Sequence, residues 1–248
     1  MRIDIVTIFP DMLKACLDES ILRRAVGINL VEINIIDLRD YSVLKHRKVD
    51  DTPYGGGAGM LMQFPPFYHA IEALKKETSK VIITSPRGHV FNQKTAERYA
   101  SLDHLIILAG HYEGIDERVY HFIDEEVSMG DFVLTGGELP AMMITDAVVR
   151  LLDDVIKKES HENDSFSNGL LEHPHYTKPA TYKGFEVPEV LRNGNHQEIA
   201  KWRRYEALKQ TQLKRPDLIE KAELSKSDLA MLEEIKIELK KESDGFKD

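Results

Sequence analysis

Four short apolar runs punctuate the first half of the chain: Ile3 to Ile8, Val31 to Ile36, Lys80 to Thr84 and Leu105 to Ala109. Each has the length of a strand and few positions that would welcome water, so each predicts a short, mostly buried strand. Between them, apolar residues recur at helical spacing. Met12, Leu13, Cys16, Leu17, Ile21 and Leu22 share one face of a helix that Asp11 can cap. Further helices are predicted from about Pro65 to Lys76 and from about Gln93 to Ala100. Another starts near Glu138 and runs through Met142, Ala147, Leu151 and Val155, with Arg150 on it. Alternating strands and helices imply an α/β fold, a mostly parallel sheet covered on both sides.

That regularity stops at Lys157 to Gly169, a polar stretch of small residues without a period, which reads as a linker or mobile loop. The expected organisation is therefore a domain over 1–156, a flexible linker over 157–172 and a smaller helical domain over 173–248. Pro174, Pro179 and Pro188 interrupt the chain until a helix opens near Asn195. A last helix follows Ser225, where Ser225 and Asp228 have the spacing of a capping box. Leu229, Leu232, Ile235 and Leu239 give it a narrow apolar stripe, and Lys240 to Asp248 reads as a frayed tail.

The 248 residues are 42% hydrophobic and 30% charged, the balance of a globular protein with a real core. No apolar run approaches bilayer length and the N-terminus carries an early acid, so a cytoplasmic location and no membrane partner are expected. The single cysteine excludes an intramolecular disulfide and reads as a core side chain. A net charge of −9 argues against indiscriminate coating of nucleic acid. Its distribution qualifies that conclusion, because His173 to Arg215 holds nine basic residues against four acidic ones. One basic segment in an acidic protein suggests a focused contact with a polyanion, although a solvated helix face would look the same.

Candidate chemistry concentrates after the fourth strand. Gly110-His111-Tyr112-Glu113-Gly114 and Met129-Gly130-Asp131-Phe132-Val133-Leu134-Thr135-Gly136-Gly137-Glu138 place glycines where bare backbone can approach a ligand. Ser85-Pro86-Arg87-Gly88 follows a strand directly and is a plausible loop at the carboxyl end of the sheet, where open α/β folds bind ligands. Asp50 to Met60 carries four glycines in five positions but lacks both the P-loop ending and the dinucleotide spacing. Histidine pairs at metal-ligand spacing and a serine-hydrolase elbow are absent from the sequence.

Taken in order, Asp50 to Met62, Gly110 to Arg118, Met129 to Pro140, Asp164-Ser165-Phe166, His173 to Pro179, Val187 to Leu191, Gly194-Asn195-His196 and Trp202-Arg203 resemble the bacterial tRNA (guanine-N1)-methyltransferases, a SPOUT-class family. The resemblance spans nearly the whole chain. It implies methylation of N1 of the guanosine 3′ of the anticodon, tRNA position 37, with S-adenosylmethionine as donor and a requirement for magnesium whose ligands it does not name. It also implies a deep trefoil knot in the first domain, a tRNA-binding helical domain, and a homodimer with sites built across the interface. By correspondence, Ser85, Pro86, Gly110, Gly114, Met129, Gly130, Asp131, Phe132, Val133, Leu134, Gly136 and Gly137 surround the donor. Asp50, Gly55 and Gly59, with Lys201, Arg203 and Arg204, meet the RNA, while Trp202 reads as a core anchor of the helical domain in preference to a base-stacking platform. His111 departs from the pattern, since many relatives carry arginine there.

Guanine N1 carries a proton at neutral pH, so its lone pair becomes a nucleophile only as that proton leaves, and charge then builds toward O6. The resemblance gives these tasks to Asp164 as general base and Arg150 as the group that steadies O6 or positions the base. Rival readings are a SPOUT enzyme acting on another base or on ribose, and an RNA-binding module that has lost catalysis. A nicotinamide dehydrogenase is disfavoured by the missing glycine fingerprint.

Overall fold

The computed structural model of the chain describes residues 1–156 and 164–245. It divides into two units, Met1–Lys157 and Lys158–Asp248.

In the first unit the chain forms β1 (Arg2–Thr7), α1 (Pro10–Leu17), α2 (Ser20–Gly27) and β2 (Glu32–Asp37), then the two-residue strands β3 (Asp50–Asp51) and β4 (Leu61–Met62). There follow α3 (Phe64–Leu74), β5 (Ser79–Val90), α4 (Gln93–Ala100), β6 (His104–Leu108), β7 (Glu125–Ser128) and α5 (Glu138–Val149). The five long strands make one parallel sheet in the order β2-β1-β6-β5-β7. Alternate residues of its central strands serve two cores. Ile3, Ile5, Ile82, Leu105 and Ile107 pack with α1, α2, α4 and α5, while Val6, Val81, Ile83, Ile106 and Leu108 pack with Phe67, Ala70 and Ile71 of α3. The near-continuous apolar runs are the signature of this two-sided burial.

Several local expectations are corrected. The first helical stretch is two helices, broken where Ser20 takes a φ of 53°. The break ends the common face, so Leu13, Leu17 and Leu22 are buried while Cys16 and Met12 are exposed. Asp11 does not cap α1; Phe9 occupies that position, and the Asp11 carboxylate lies in the first turn, 2.7 Å from Lys14 Nζ. The helix opening at Glu138 stops at Val149 with Arg150 as its C-cap, although Val155 still reaches the core through the turns that follow.

The second unit contains a short hairpin of β8 (Thr181–Tyr182) and β9 (Phe185–Glu186), then α6 (His196–Lys214), α7 (Pro216–Ile219) and α8 (Lys226–Gly245). Asn195 caps α6 by accepting from the amides of Gln197 and Glu198. The expected box caps α8: the Ser225 hydroxyl accepts from the Asp228 amide at 3.1 Å and the Asp228 carboxylate from the Ser225 amide at 2.9 Å. Leu170, Leu208, Leu232 and Ile235 form the core. Leu229 of the predicted stripe is 53% exposed, and Met231 packs on that core instead. Helix α8 runs through Gly245, past the start of the expected frayed tail, as its Glu- and Lys-rich composition favours. Of the expected linker, 157–163 lie outside the described residues, while 164–169 form turns leading into buried Leu170.

Candidate active site

The carboxyl ends of β5, β6 and β7 open into a cavity of about 290 Å³. Its floor comes from an irregularity in β5. Thr84 and His89 both stand opposite Val127 of β7, so Ser85 to Gly88 loop out of the ladder. One wall is the loop after β6. Gly110 accepts a hydrogen bond from the Gly137 amide at 2.7 Å, and His111 bridges to Gly136, which ties that loop to the one before α5. Glycine is required here by space: a Cβ on Gly137 would lie 2.1 Å from Thr84 Oγ1 and 2.9 Å from the Gly110 nitrogen.

Ser85, Pro86, Gly110, Gly114, Met129, Phe132, Val133, Leu134, Gly136 and Gly137 all line this cavity. Gly130 and Asp131 do not. Gly130, at φ 132°, makes the turn on which the Ser128 hydroxyl closes, and Asp131 is exposed. Phe132 and Val133 form an apolar lip, Val133 being 86% exposed.

The cavity contains no Lys or Arg among its lining residues, and Glu113 is its carboxylate. Behind it, Glu138 is 1% exposed yet satisfied: it accepts from Thr7 Oγ1 at 2.8 Å, and His111 Nδ1 stands 3.4 Å from its other oxygen. His111 makes an ion pair with Glu138 only when protonated. Tyr120 closes the back; burial pushes its phenol up, keeping it neutral and available as a donor.

The glycine-rich loop docks against the same wall. The Glu113 amide donates to the Met60 carbonyl at 3.1 Å and the Met62 amide to the Gly114 carbonyl at 2.9 Å. Gly59, at φ 81°, leaves room for Glu113, whose side chain would meet a Cβ there at 2.3 Å. Asp50 pairs with Met62 in the β3–β4 ladder, and Gly55 lies in an open turn. Asp51, Tyr54, Asp116 and Arg118 line a neighbouring cavity of about 490 Å³, in which the Arg118 guanidinium grips Asp116 at 2.9 and 2.7 Å.

Arg150 sits at the far end of α5 from this cavity, about 18 Å along the axis of a 12-residue helix at 1.5 Å per residue. Asp164 belongs to the second unit, where it lines a cavity of about 570 Å³ with His173, His175 and Arg203. Lys201 and Arg203 are exposed. The Arg204 guanidinium instead holds Asp228 at 2.8 and 2.9 Å, drawing that carboxyl far below its ordinary range. Trp202, expected in the helical core, stands apart from it and packs against His173 and Tyr176. Among the described residues no three His, Cys, Asp or Glu side chains converge as a metal site.

A profile of the family described as tRNA (guanine-1)-methyltransferase TrmD matches residues 1–221. The chain belongs to this enzyme family. A tRNA (guanine-N(1)-)-methyltransferase of Dictyoglomus turgidum is 55% identical over 243 residues, 98% of this chain and 99% of the relative. One of Fusobacterium nucleatum is 54% identical over 239 residues, covering 96% and 99%, and one of Dehalococcoides mccartyi is 51% identical over 240, covering 95% and 97%. Thr84, Tyr112, Glu113 and Tyr120 line the cavity without having been singled out as ligands of the donor. Each lies within six residues of one that the resemblance assigns to the donor.

Proposed function

We propose that this tRNA (guanine-N1)-methyltransferase moves a methyl group from S-adenosylmethionine to N1 of the guanosine at tRNA position 37. The observation that carries the reading is the cavity walled by Gly110, Gly136 and Gly137, in a chain that belongs to this family. Its residues suit the donor. Bare main chain beside Leu134 and Met129 offers amide and carbonyl edges for adenine between apolar walls, at a volume near the ~300 Å³ lower bound of small-molecule pockets. A lining with a carboxylate and no Lys or Arg favours a positively charged ligand over an anionic one. Lacing of the loop after β6 to the loop before α5 supports the knotted arrangement as part of this reading.

When bound, the donor supplies a methyl group on a sulfonium that leaves as a neutral thioether. The remaining work falls to the chain. Asp164 accepts the N1 proton as the N1–carbon bond forms, and Arg150 offsets the charge that builds on O6. No step is assigned to magnesium, for which the described residues offer no three-ligand cluster.

A homodimer is part of the same proposal. Within one copy Arg150 is remote from the donor cavity, and Phe132 and Val133 present apolar surface to solvent, so a second copy both completes the chemistry and covers the lip. Methyl transfer to unmodified tRNA transcripts carrying guanosine or adenosine at position 37, with mass mapping of the product, tests the reading. Label on the guanosine transcript alone is expected, and equal label on both overturns it.

A further inference from the structure

We infer that Trp202, Tyr176 and His173, with Arg203 beside them, form a stacking site for an unpaired nucleotide next to the target guanosine in the anticodon loop. The inference rests on the function proposed above and adds an element of the RNA to it.

Ala207, Leu208 and Thr211 face the core of the second unit, and Arg204 is spent on Asp228. Trp202 takes no part in that core. Its ring lies 6.2 Å from His173 and 6.3 Å from Tyr176, and the His173 and His175 rings are 4.4 Å apart. Tyr176 is 47% exposed while Trp202 and His173 are half-buried, and the rings tilt by 41–54° to one another, so the cluster is an aromatic notch with its Tyr176 side open to solvent. Burial lowers the proton affinity of His173, which leaves a neutral ring whose face can stack.

Arg203 supplies the charge. It is exposed, and no hydrogen bond or ion pair of its side chain is seen among the described residues; with Asp164 and the two histidines it lines one cavity. Unpaired bases are held by aromatic faces, and the phosphates between them by cations. An exposed guanidinium with no hydrogen bond of its own among the described residues is placed to meet a phosphodiester beside the rings. Asp164 lines one cavity with His173 and Arg203, so a base held at that edge of the cluster lies next to the one that surrenders its proton.

Trp202 is the only tryptophan of the chain, so its fluorescence reports on this site alone. The full-length protein is titrated with an anticodon stem-loop RNA, and with two RNAs abasic on the 5′ or the 3′ side of the target guanosine. The expected result is quenching by the parent RNA that at least one abasic RNA fails to produce. Tyr176→Ala and Arg203→Ala should each weaken binding of the parent RNA about five- to fiftyfold, with the melting temperature unchanged. Equal quenching by all three RNAs, or variants that melt earlier yet bind as wild type, overturns the inference in favour of a purely structural cluster. Methylation of the parent RNA is followed in parallel. Methylation without quenching sinks the stacking site and leaves the proposed function standing, and quenching without methylation does the reverse.

Discussion

Gly137 lies against Gly110, its amide donating to the Gly110 carbonyl at 2.7 Å and its α-carbon leaving no room for a side chain. The φ at Gly137 is −84°, which any residue tolerates, so the constraint is one of space and not of backbone conformation. Gly137→Ala should force Thr84 and the Gly110 strand end apart and reduce S-adenosylmethionine affinity more than tenfold in calorimetry. Gly27→Ala, at the end of α2 with open space around it and no positive φ, should leave donor affinity as it was.

The proposed homodimer, in which Asp164 of one copy serves the donor cavity of the other, predicts complementation between crippled copies. Gly137→Ala and Asp164→Ala should each be nearly inactive alone. When they are unfolded and refolded together, activity should return to roughly a quarter of wild type, because half of the randomly paired dimers then carry one intact site. Absence of recovery, with mixed dimers demonstrated by mass spectrometry, would mean that acid and donor pocket come from the same copy.

Arg204 and Asp228 tie α6 to the start of α8 through two hydrogen bonds. Arg204→Ala leaves a nearly buried carboxylate without its cation and should cost about 2–3 kcal/mol in denaturant unfolding. Arg204→Lys should recover only part of it, since an ammonium cannot present the same planar fork. RNA affinity measured well below the melting temperature should change little in either variant, in contrast to Arg203→Ala.

Glu125 on β7 is held by the Arg98 guanidinium, and also by the Tyr99 hydroxyl and Lys80, each at 2.8 Å. Hydrogen bonding from Arg98 outweighs burial and brings its pKa down to about 2. A carboxylate depressed in the folded state stabilises fully above its unfolded value and loses that contribution as pH falls through the folded one. Stability should therefore decline between about pH 4.5 and pH 2, by up to roughly 3 kcal/mol from this group. Glu125→Gln should flatten that part of the profile and lower stability at pH 7, as read by thermal melts across the range.

The residues account unevenly for what is observed. Strands β1, β2, β5 and β6 are written in apolar runs because both faces of the sheet are covered, and α4 in its helical spacing. Strand β7 escapes such a reading, since Glu125-Glu126-Val127-Ser128 offers one apolar position and is a strand only by pairing with β5. Exposure of Cys16 likewise depends on a break at Ser20 that periodicity alone does not register.

At the candidate site, the glycines are legible because each marks a place where backbone meets backbone. The partners of those glycines are not. Thr7 and Glu138 are 131 residues apart and meet only because β1 and the start of α5 converge behind the cavity. Trp202 shows the opposite failure: a lone tryptophan in a helix suggests a core anchor, and only the packing of Leu208, Leu232 and Ile235 without it reveals otherwise.

The looped-out segment in β5 bears on how readily this protein could escape a competitive inhibitor directed at the proposed donor cavity. Of that segment Ser85 and Pro86 line the cavity, and the main-chain groups they bring to it are not removed by point mutation. Substitutions there can alter shape, but Gly88 lies 2.3–2.5 Å from the Glu126–Val127 main chain at its would-be Cβ, so few alterations of shape are tolerated. Resistance by simple side-chain replacement at this floor should therefore be rare, and changes that do arise should fall on the apolar lip at Phe132 and Val133.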